Sequence, residues 1–172
     1  MPAEIMESLR IVETGTYVDM TLGDGGHSLL ILDKLKAGGR LIAFDKDEEA
    51  IERVKKRFKG LEGDRLTIVN EDFSSVTEAL LEHGIEKVDG FIFDLGVSSR
   101  QLDEAKRGFS FSKEARLDMR MDLRNEVDAY KLVNNLRFED LYKIIKEYGE
   151  ERFAKRIARS IIYNRAKEEI TT

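Results

Sequence analysis

Short runs of apolar and β-branched residues alternate with amphipathic helical patterns through the first part of the chain. The runs are Thr16–Met20, Arg40–Asp45, Leu66–Asn70 and Gly90–Asp94. This alternation is typical of a parallel α/β sheet, because a parallel connection needs a crossover that is usually a helix. We therefore predict an α/β fold in which the four runs form about four parallel strands.

Polar starts and glycine ends predict three helices between these strands. They are Ser28–Lys36 with Ser28 as its cap, Asp47–Lys59 with Asp47 as its cap, and a helix that opens at Ser74 and Ser75 and stops at Gly84. Serine and aspartate side chains accept hydrogen bonds from the free N–H groups at a helix start, and glycine favours the backbone conformation that ends a helix. Each predicted helix therefore has a local signal at both ends.

The rhythm of strands and helices stops near the middle of the chain. The segment Gln101–Asn125 has no clear period and is rich in Arg, Asp, Met and Phe, which predicts a long functional loop. Two helices, Phe138–Tyr148 and Glu150–Asn164, are expected to form a hairpin after it. The chain is expected to divide into an α/β domain over residues 1–99 and a loop with a helical module over residues 100–172.

Composition narrows the classes of protein. The chain has 172 residues, and the 41% that are hydrophobic suffice for a packed core. No apolar run approaches twenty residues and no charged-then-apolar leader is present, so we expect a cytoplasmic protein without a membrane span. With no cysteine and only two histidines, neither disulfides nor a metal centre is expected.

Charge is distributed unevenly along the chain. Residues 1–97 carry 12 basic and 20 acidic side chains, whereas residues 98–172 carry 17 basic and 14 acidic ones. A polyanion would meet the second half more readily than the first. On charge alone, an accidental split of a charged surface explains the difference equally well.

A glycine-rich turn follows the first predicted strand. Gly23, Gly25 and Gly26 lie between that strand and the next helical pattern. Glycine lets the backbone approach a ligand closely, and the free N–H groups of the following helix point into the same space. The turn is therefore a candidate cofactor site, with a plain strand-to-helix connection as the alternative.

An acidic residue ends the second predicted strand. Asp45 stands 22 positions beyond Gly23, at the place where a carboxylate accepts hydrogen bonds from the ribose of a nucleotide-type cofactor. This leaves NAD and S-adenosylmethionine equally open. Ser28 stands in place of the third glycine of the dinucleotide fingerprint, which favours a ligand without a pyrophosphate.

The third and fourth predicted strands also end in candidate residues. Asp72 could accept from an adenine amine while Phe73 covers the ring, although a helix cap and ordinary core packing are the alternatives for these two residues. Asp94 ends the fourth strand and would face the same crevice, because ligands bind outside the carboxyl ends of parallel strands. There it could accept a hydrogen bond from an amine nucleophile.

Five long motifs occur in order over nearly the whole chain. They are Gly23-x-Gly25-Gly26-His27-Ser28, Asp94-Leu95-Gly96-Val97-Ser98-Ser99-x-Gln101-Leu102, Arg107-Gly108-Phe109-Ser110-Phe111, Leu117-Asp118-Met119-Arg120-Met121-Asp122 and Tyr148-Gly149-Glu150-Glu151-Arg152-Phe153-Ala154-Lys155-Arg156-Ile157-Ala158-Arg159. Together they resemble the bacterial ribosomal RNA small subunit methyltransferase H family, also called MraW. The resemblance implies a Rossmann-like class I methyltransferase sheet with a helical inserted module. It also implies transfer of a methyl group from S-adenosylmethionine to the N4 amine of a cytidine in the decoding region of 16S rRNA.

The same resemblance implies a set of cofactor contacts. They are Gly25, Gly26, His27, Asp45, Phe73, Asp94 and Gln101. Asp45, Phe73 and Asp94 are also candidates from the residues alone, whereas Gln101 follows only from the resemblance. His27 by itself reads as a polar residue at a helix start.

Basic residues in the second half predict an RNA contact. Arg152, Lys155, Arg156 and Arg159 follow i, i+3, i+4, i+7 spacing, which gathers four cations on one helix face. The alternative is a solvated face paired with nearby glutamates. Arg107 and Arg120 are expected to approach a cytosine drawn out of its stack.

The chain also departs from the family pattern. It ends inside the helical insertion, so the last strands of the sheet are expected to be absent and the fourth strand to be an exposed edge that invites a homodimer. Two other functions stay open. One is a catalytically dead module of the family that binds S-adenosylmethionine or RNA, and the other, more remote, is an NAD-dependent oxidoreductase.

Overall fold

The computed structural model describes residues 2–61 and 65–172. Four strands form one parallel sheet in the order β3-β2-β1-β4. The strands are β1 (Thr16–Asp19), β2 (Arg40–Phe44), β3 (Leu66–Val69) and β4 (Gly90–Ile92). This order matches the first four strands of a doubly wound, Rossmann-like sheet, and it confirms the predicted α/β fold. Each strand ends one or two residues earlier than predicted, although Met20 N and Asp45 N still donate to carbonyl groups of the neighbouring strands.

Helices cover both faces of the sheet. The helices of this part of the chain are α1 (Pro2–Leu9), α2 (Gly26–Lys34), α3 (Glu48–Arg57) and α4 (Val76–Glu82). Alternate residues of β1 point to opposite faces, so Tyr17 joins a core cluster with residues of α2 and α3, and Val18 joins a second cluster with residues of α4. The two core layers fix where the strand ends lie.

Two helix starts differ from the prediction. Helix α2 begins at Gly26, two residues before the predicted cap, because the Ser28 hydroxyl donates to Asp19 Oδ2 at 2.7 Å instead of capping the helix. The third helix is preceded by a 3-10 turn at Phe73–Ser75, and Ser75 makes no side-chain cap bond. The predicted cap of α3 is confirmed, since Asp47 Oδ1 accepts from Glu49 N at 3.1 Å.

The chain divides into two compact units, residues 1–96 and residues 97–172. The second unit, all of which the structure describes, contains helices and no strand. They are α5 (Ser99–Asp103), a 3-10 turn at Ala105–Arg107, α6 (Ala129–Asn135), α7 (Phe138–Lys143) with a π-helical turn at Ile144–Tyr148, and α8 (Ala154–Arg165). The predicted loop Gln101–Asn125 was therefore wrong at its start, and α6 was not predicted.

The second helix of the hairpin starts later than predicted. Helix α8 begins at Ala154, four residues after the predicted start at Glu150. Glu150 adopts a left-handed backbone with φ 50°, and Glu151 Oε1 accepts from Phe153 N at 2.7 Å, so this stretch forms a turn. In the part of the chain that the structure describes, no helix has the length and apolar character needed to cross a membrane.

Candidate functional site

The glycine turn between β1 and α2 has a conformation that only glycine adopts easily. Gly23 and Gly25 have φ values of 52° and 77°. A Cβ atom on Gly25 would lie 2.7 Å from Phe58 Cζ, so this position excludes a side chain on two grounds. Gly26 differs, because apart from its chain neighbours and the backbone of its own helix no described atom lies within 4 Å of a Cβ built there. The turn thus packs on the core on one side and is open on the other.

Asp45 connects the end of β2 to this turn. Its Oδ2 accepts from Gly23 N at 2.8 Å, and its Oδ1 accepts from Asp47 N at 2.9 Å. Burial raises the pKa of Asp45 above its ordinary value, and the two backbone N–H groups oppose that effect. Each carboxylate oxygen has a second acceptor position, which suits the hydroxyl groups of a ribose.

Asp72 and Phe73 follow β3. Asp72 Oδ1 accepts from Ser74 N at 3.0 Å, and its Oδ2 lies 3.0 Å from Lys46 Nζ. These contacts lower the pKa of Asp72, with the Ser74 N–H as the largest cause. The geometry therefore supports the helix-cap alternative for Asp72. Phe73 packs against the second core cluster and meets Phe93 edge to face, with 5.8 Å between ring centroids.

Asp94 lies just beyond β4 and is the most exposed carboxylate of the group. Its backbone N–H donates to Thr21 Oγ1 at 2.8 Å. Its Oδ2 lies 3.6 Å from Nδ1 of His27, a residue in the first turn of α2. Its side chain is 63% exposed, so the carboxylate faces solvent while its backbone is fixed. Sequence reasoning gave His27 no partner, and the structure supplies one.

A buried carboxylate, Asp19, was missed by sequence reasoning. It ends β1, is 1% exposed, and accepts from the Ser28 hydroxyl and from Thr21 N at 3.0 Å. Burial is the main reason that the pKa of Asp19 is raised. The available signal was an acidic residue at the end of a central, otherwise apolar strand, directly before the glycine turn.

Contacts among these residues connect all four strand ends within residues 1–96. Gly23 with Asp45 joins β1 to β2, and Asn70 Nδ2, which donates to the Asp45 carbonyl at 3.0 Å, joins β3 to β2. Thr21 with Asp94 joins β1 to β4. The predicted residues of the first unit therefore lie along one edge of the sheet.

Gln101 belongs to the second unit and lies in helix α5, not in a loop. Ser98 Oγ accepts from Gln101 N at 3.1 Å, and Gln101 Oε1 accepts from Ser98 N at 3.0 Å. This reciprocal pair is a capping box, and the Ser-x-x-Gln spacing was a local signal for it. The cofactor contact that the resemblance implies for Gln101 stays a prediction.

Arg107 and Arg120 organise the segment that follows α5. Arg107 is 3% exposed, and its Nη2 donates to the carbonyl oxygens of Arg120 and Met121 at 3.0 and 3.1 Å. Arg120 donates through Nε and Nη2 to the two carboxylate oxygens of Asp118 at 2.9 and 2.7 Å. Arg107 is therefore buried within its own segment and Arg120 is partly exposed, and the RNA contacts expected of both residues stay predictions.

The basic stripe is shorter than predicted but exposed. Lys155, Arg156 and Arg159 lie on α8, whereas Arg152 precedes the helix. The guanidinium groups of Arg152 and Arg156 lie over the Phe153 ring, at 4.4 and 4.7 Å from its centroid. Within the described ranges, none of these four cations forms an ion pair with a carboxylate. The pairing with neighbouring glutamates, which was the alternative to an RNA contact, is therefore not seen.

Comparison with known proteins gives one family. A model of the MraW methylase family matches residues 1–172. The chain is 51% identical over 175 residues to the ribosomal RNA small subunit methyltransferase H of Caldicellulosiruptor bescii, covering 100% of this chain and 56% of that protein. The protein of the same name from Clostridium botulinum (strain 657 / Type Ba4) is 50% identical over 169 residues, with coverage of 98% and 54%. The chain thus spans about half the length of the curated relatives it matches.

Solved structures give weaker likenesses. An rRNA methylase from Streptococcus thermophilus matches 56% of this chain and 55% of its own, at 19% identity and a TM-score of 0.44. A SAM dependent methyltransferase from Aquifex aeolicus matches 41% of this chain and 38% of its own, at 17% identity and a TM-score of 0.37. Both TM-scores lie below 0.5, and no conclusion about fold or function follows from these two likenesses.

Proposed function

The chain belongs to the MraW methylase family, and on this premise we propose that it binds S-adenosylmethionine at the carboxyl edge of its sheet for methylation of a cytidine N4 amine in 16S rRNA. The observation that carries the proposal is the hydrogen bond from Gly23 N to Asp45 Oδ2. It joins the turn that would approach the cofactor to the carboxylate that would hold its ribose. Both relatives are small-subunit rRNA methyltransferases by name, which supports the substrate class.

The residues present fit the cofactor at one specific place. Open space lies beside Gly26 at the start of α2, and the two preceding glycines have the positive φ values of a tight turn. In the proposed complex, Gly23, Gly25 and Gly26 let the ligand approach, His27 lies at the start of the helix, and Asp45 accepts from the ribose. Phe73 contributes to the adenine pocket, and Asp72 holds the backbone that carries Phe73.

Asp94 is the proposed catalytic residue. When bound, S-adenosylmethionine supplies a methyl group whose carbon–sulfur bond breaks as the new bond to the amine nitrogen forms, which leaves S-adenosylhomocysteine and a proton. The exposed Asp94 carboxylate accepts a hydrogen bond from the cytidine amine and orients its nitrogen. Its negative charge also stabilises the positive charge that develops on that nitrogen. No covalent intermediate on the protein is therefore needed.

The basic surface of α8 is the proposed RNA contact. The helix carries four basic side chains and no carboxylate in the sequence AKRIARSIIYNR. Three of them, Lys155, Arg156 and Arg159, are exposed, and Arg152 stands beside them before the helix start. Such a surface attracts phosphates with a strong dependence on salt. The proposed partner is 16S rRNA or the small ribosomal subunit, and the corresponding location is the cytoplasm.

The edge strand β4 suggests a second, independent contact. Phe91 and Phe93 are 45% and 53% exposed, and their rings stack at 6.5 Å. We propose that two copies of the chain pair through this edge, because among the described residues β4 has a neighbouring strand on one side only, and an open edge with apolar side chains favours association. Sedimentation of the chain over a range of concentrations tests the pairing, and a monomer at the highest concentration excludes it.

Calorimetric titration with S-adenosylhomocysteine, using NAD as the control ligand, tests the cofactor site. Saturable binding of S-adenosylhomocysteine alone is the expected result. Binding of NAD alone would favour the oxidoreductase alternative, and binding of neither would refute the proposed site. Methylation of a decoding-region RNA fragment by the chain then separates an enzyme from a module that only binds.

A further inference from the structure

Thr21 connects Asp94, the proposed catalytic residue, to the buried Asp19 beside the glycine turn. It lies in the turn between β1 and Gly23. Its hydroxyl oxygen accepts from Asp94 N at 2.8 Å, and its own N–H donates to Asp19 Oδ1 at 3.0 Å. Thr21 and Asp94 are far apart in sequence, at a separation of 73 residues. No motif or spacing argument gave Thr21 a role.

The Thr21 hydroxyl takes the place of a backbone carbonyl as the acceptor for Asp94 N. The ladder between β1 and β4 runs as far as Met20 N, which donates to the Ile92 carbonyl at 3.0 Å. Beyond that bond the chain no longer pairs with β4, and Leu22 N donates instead to the carbonyl of Phe44 on β2 at 2.8 Å. The N–H of Asp94 therefore meets a side-chain oxygen where a continuing strand would offer a carbonyl group.

The other end of this connection is anchored in the core. Asp19 and Ser28 are almost fully buried, and the hydroxyl of Ser28 on α2 donates to Asp19 at 2.7 Å. Three hydrogen bonds therefore run from Ser28 through Asp19 and Thr21 to the backbone of Asp94. Buried polar groups with satisfied partners hold one geometry, so the Ser28–Asp19 end of this path is fixed, while the bond from Asp94 N to Thr21 lies at the surface.

We propose that Thr21 is a positioning residue that fixes the backbone of Asp94 relative to the glycine turn. The inference rests on the proposed function, because it matters only if the turn holds the cofactor and Asp94 faces the amine. Thr21 sets the separation between those two groups, and displacement of a reacting group by about 1 Å can lower a rate about 100-fold.

Thr21→Val and Thr21→Ser provide a matched pair of variants. Valine has the shape of threonine without the hydroxyl, whereas serine keeps the hydroxyl. Amide exchange at Asp94, measured by nuclear magnetic resonance, should be about fivefold faster in Thr21→Val than in Thr21→Ser, the ratio for one ordinary hydrogen bond. Thr21→Ala also lacks the hydroxyl, and it adds no methyl group in its place. Its Asp94 amide should likewise exchange faster than that of Thr21→Ser.

A second readout distinguishes positioning from simple stability. Addition of S-adenosylhomocysteine should shift the Asp94 amide resonance in the original chain and in Thr21→Ser, and this shift should be lost in Thr21→Val. Equal exchange rates and equal shifts in the two variants would overturn the inference while the proposed function stands. Absence of S-adenosylhomocysteine binding to the original chain would overturn the proposed function, and with it the role of Thr21 in the reaction.

Discussion

Replacement of Gly25 by alanine should destabilise the chain strongly. A residue with a Cβ at φ 77° costs about 1–2 kcal/mol. The new methyl group would lie 2.7 Å from Phe58 Cζ and 3.3 Å from Val54 Cγ2, and both side chains are fully buried in the core. Overpacking of that kind adds about 1–3 kcal/mol, and the lower entropy of the unfolded chain returns about 0.4–1 kcal/mol. The expected loss is therefore about 1–4.5 kcal/mol.

The neighbouring glycine is the control. Gly26→Ala adds the same methyl group next to the same turn, but Gly26 does not have a positive φ, and apart from its chain neighbours and the backbone of its own helix no described atom lies within 4 Å of the added carbon. We expect its free energy of unfolding to stay within about 0.5 kcal/mol of the original chain. Equilibrium unfolding in urea, followed by circular dichroism, measures both changes as shifts of the midpoint at constant slope.

The pair also separates folding from binding. Gly26→Ala should weaken binding of S-adenosylhomocysteine although the fold is intact, because the methyl group enters the open space where the ligand is proposed to lie. Equal unfolding free energies for the two variants would refute the packing argument. Full affinity of Gly26→Ala for the ligand would contradict the proposed close approach at Gly26.

Three further outcomes are expected. Asp45→Ala should weaken binding of S-adenosylhomocysteine by about 1.5–3 kcal/mol in calorimetry, the contribution of a charged acceptor, and unchanged affinity would remove Asp45 from the ribose site. Burial raises the pKa of Asp19 above its unfolded value, so the folded chain holds that proton more tightly and stability is lost as pH rises through the raised pKa. Compared with Asp19→Asn, the original chain should therefore lose stability in urea titrations as the pH rises above the ordinary aspartate pKa of about 4, and a difference that stays constant with pH would contradict the argument. Arg156→Glu should lower affinity for a decoding-region RNA in fluorescence anisotropy and reduce its salt dependence, while the charge-matched control Lys55→Glu on α3 should not.

Local pattern predicted the elements better than their ends. The four strands follow from short apolar runs, since both faces of a covered parallel sheet demand apolar side chains. Ser28 looked like a helix cap because a serine before a helical pattern usually is one. Its partner Asp19 precedes it by nine residues and becomes a neighbour only when β1 and α2 pack together.

The candidate site shows the same limit. Asp45 and Asp94 could be predicted because their positions at strand ends follow from topology alone. Thr21 could not be predicted, because its partner Asp94 becomes a neighbour only when β4 pairs with β1. The guanidinium group of Arg107 donates to carbonyl groups of a loop without a regular pattern, so no periodicity distinguishes it from an exposed cation.

Strand order also determines when β4 can join the sheet. The central strand β1 pairs with β2 at a separation of 24 residues, from Thr16 to Arg40, but with β4 at a separation of 73, from Tyr17 to Gly90. Pairings between distant segments form late in folding, because loop closure must come before their contacts. During synthesis at about 5–20 residues per second, β1 therefore waits about 4–15 s for this partner. The contacts of Asp94 depend on the pairing of β4 with β1, so the candidate site forms only after β1, β2 and β3 are available to pair.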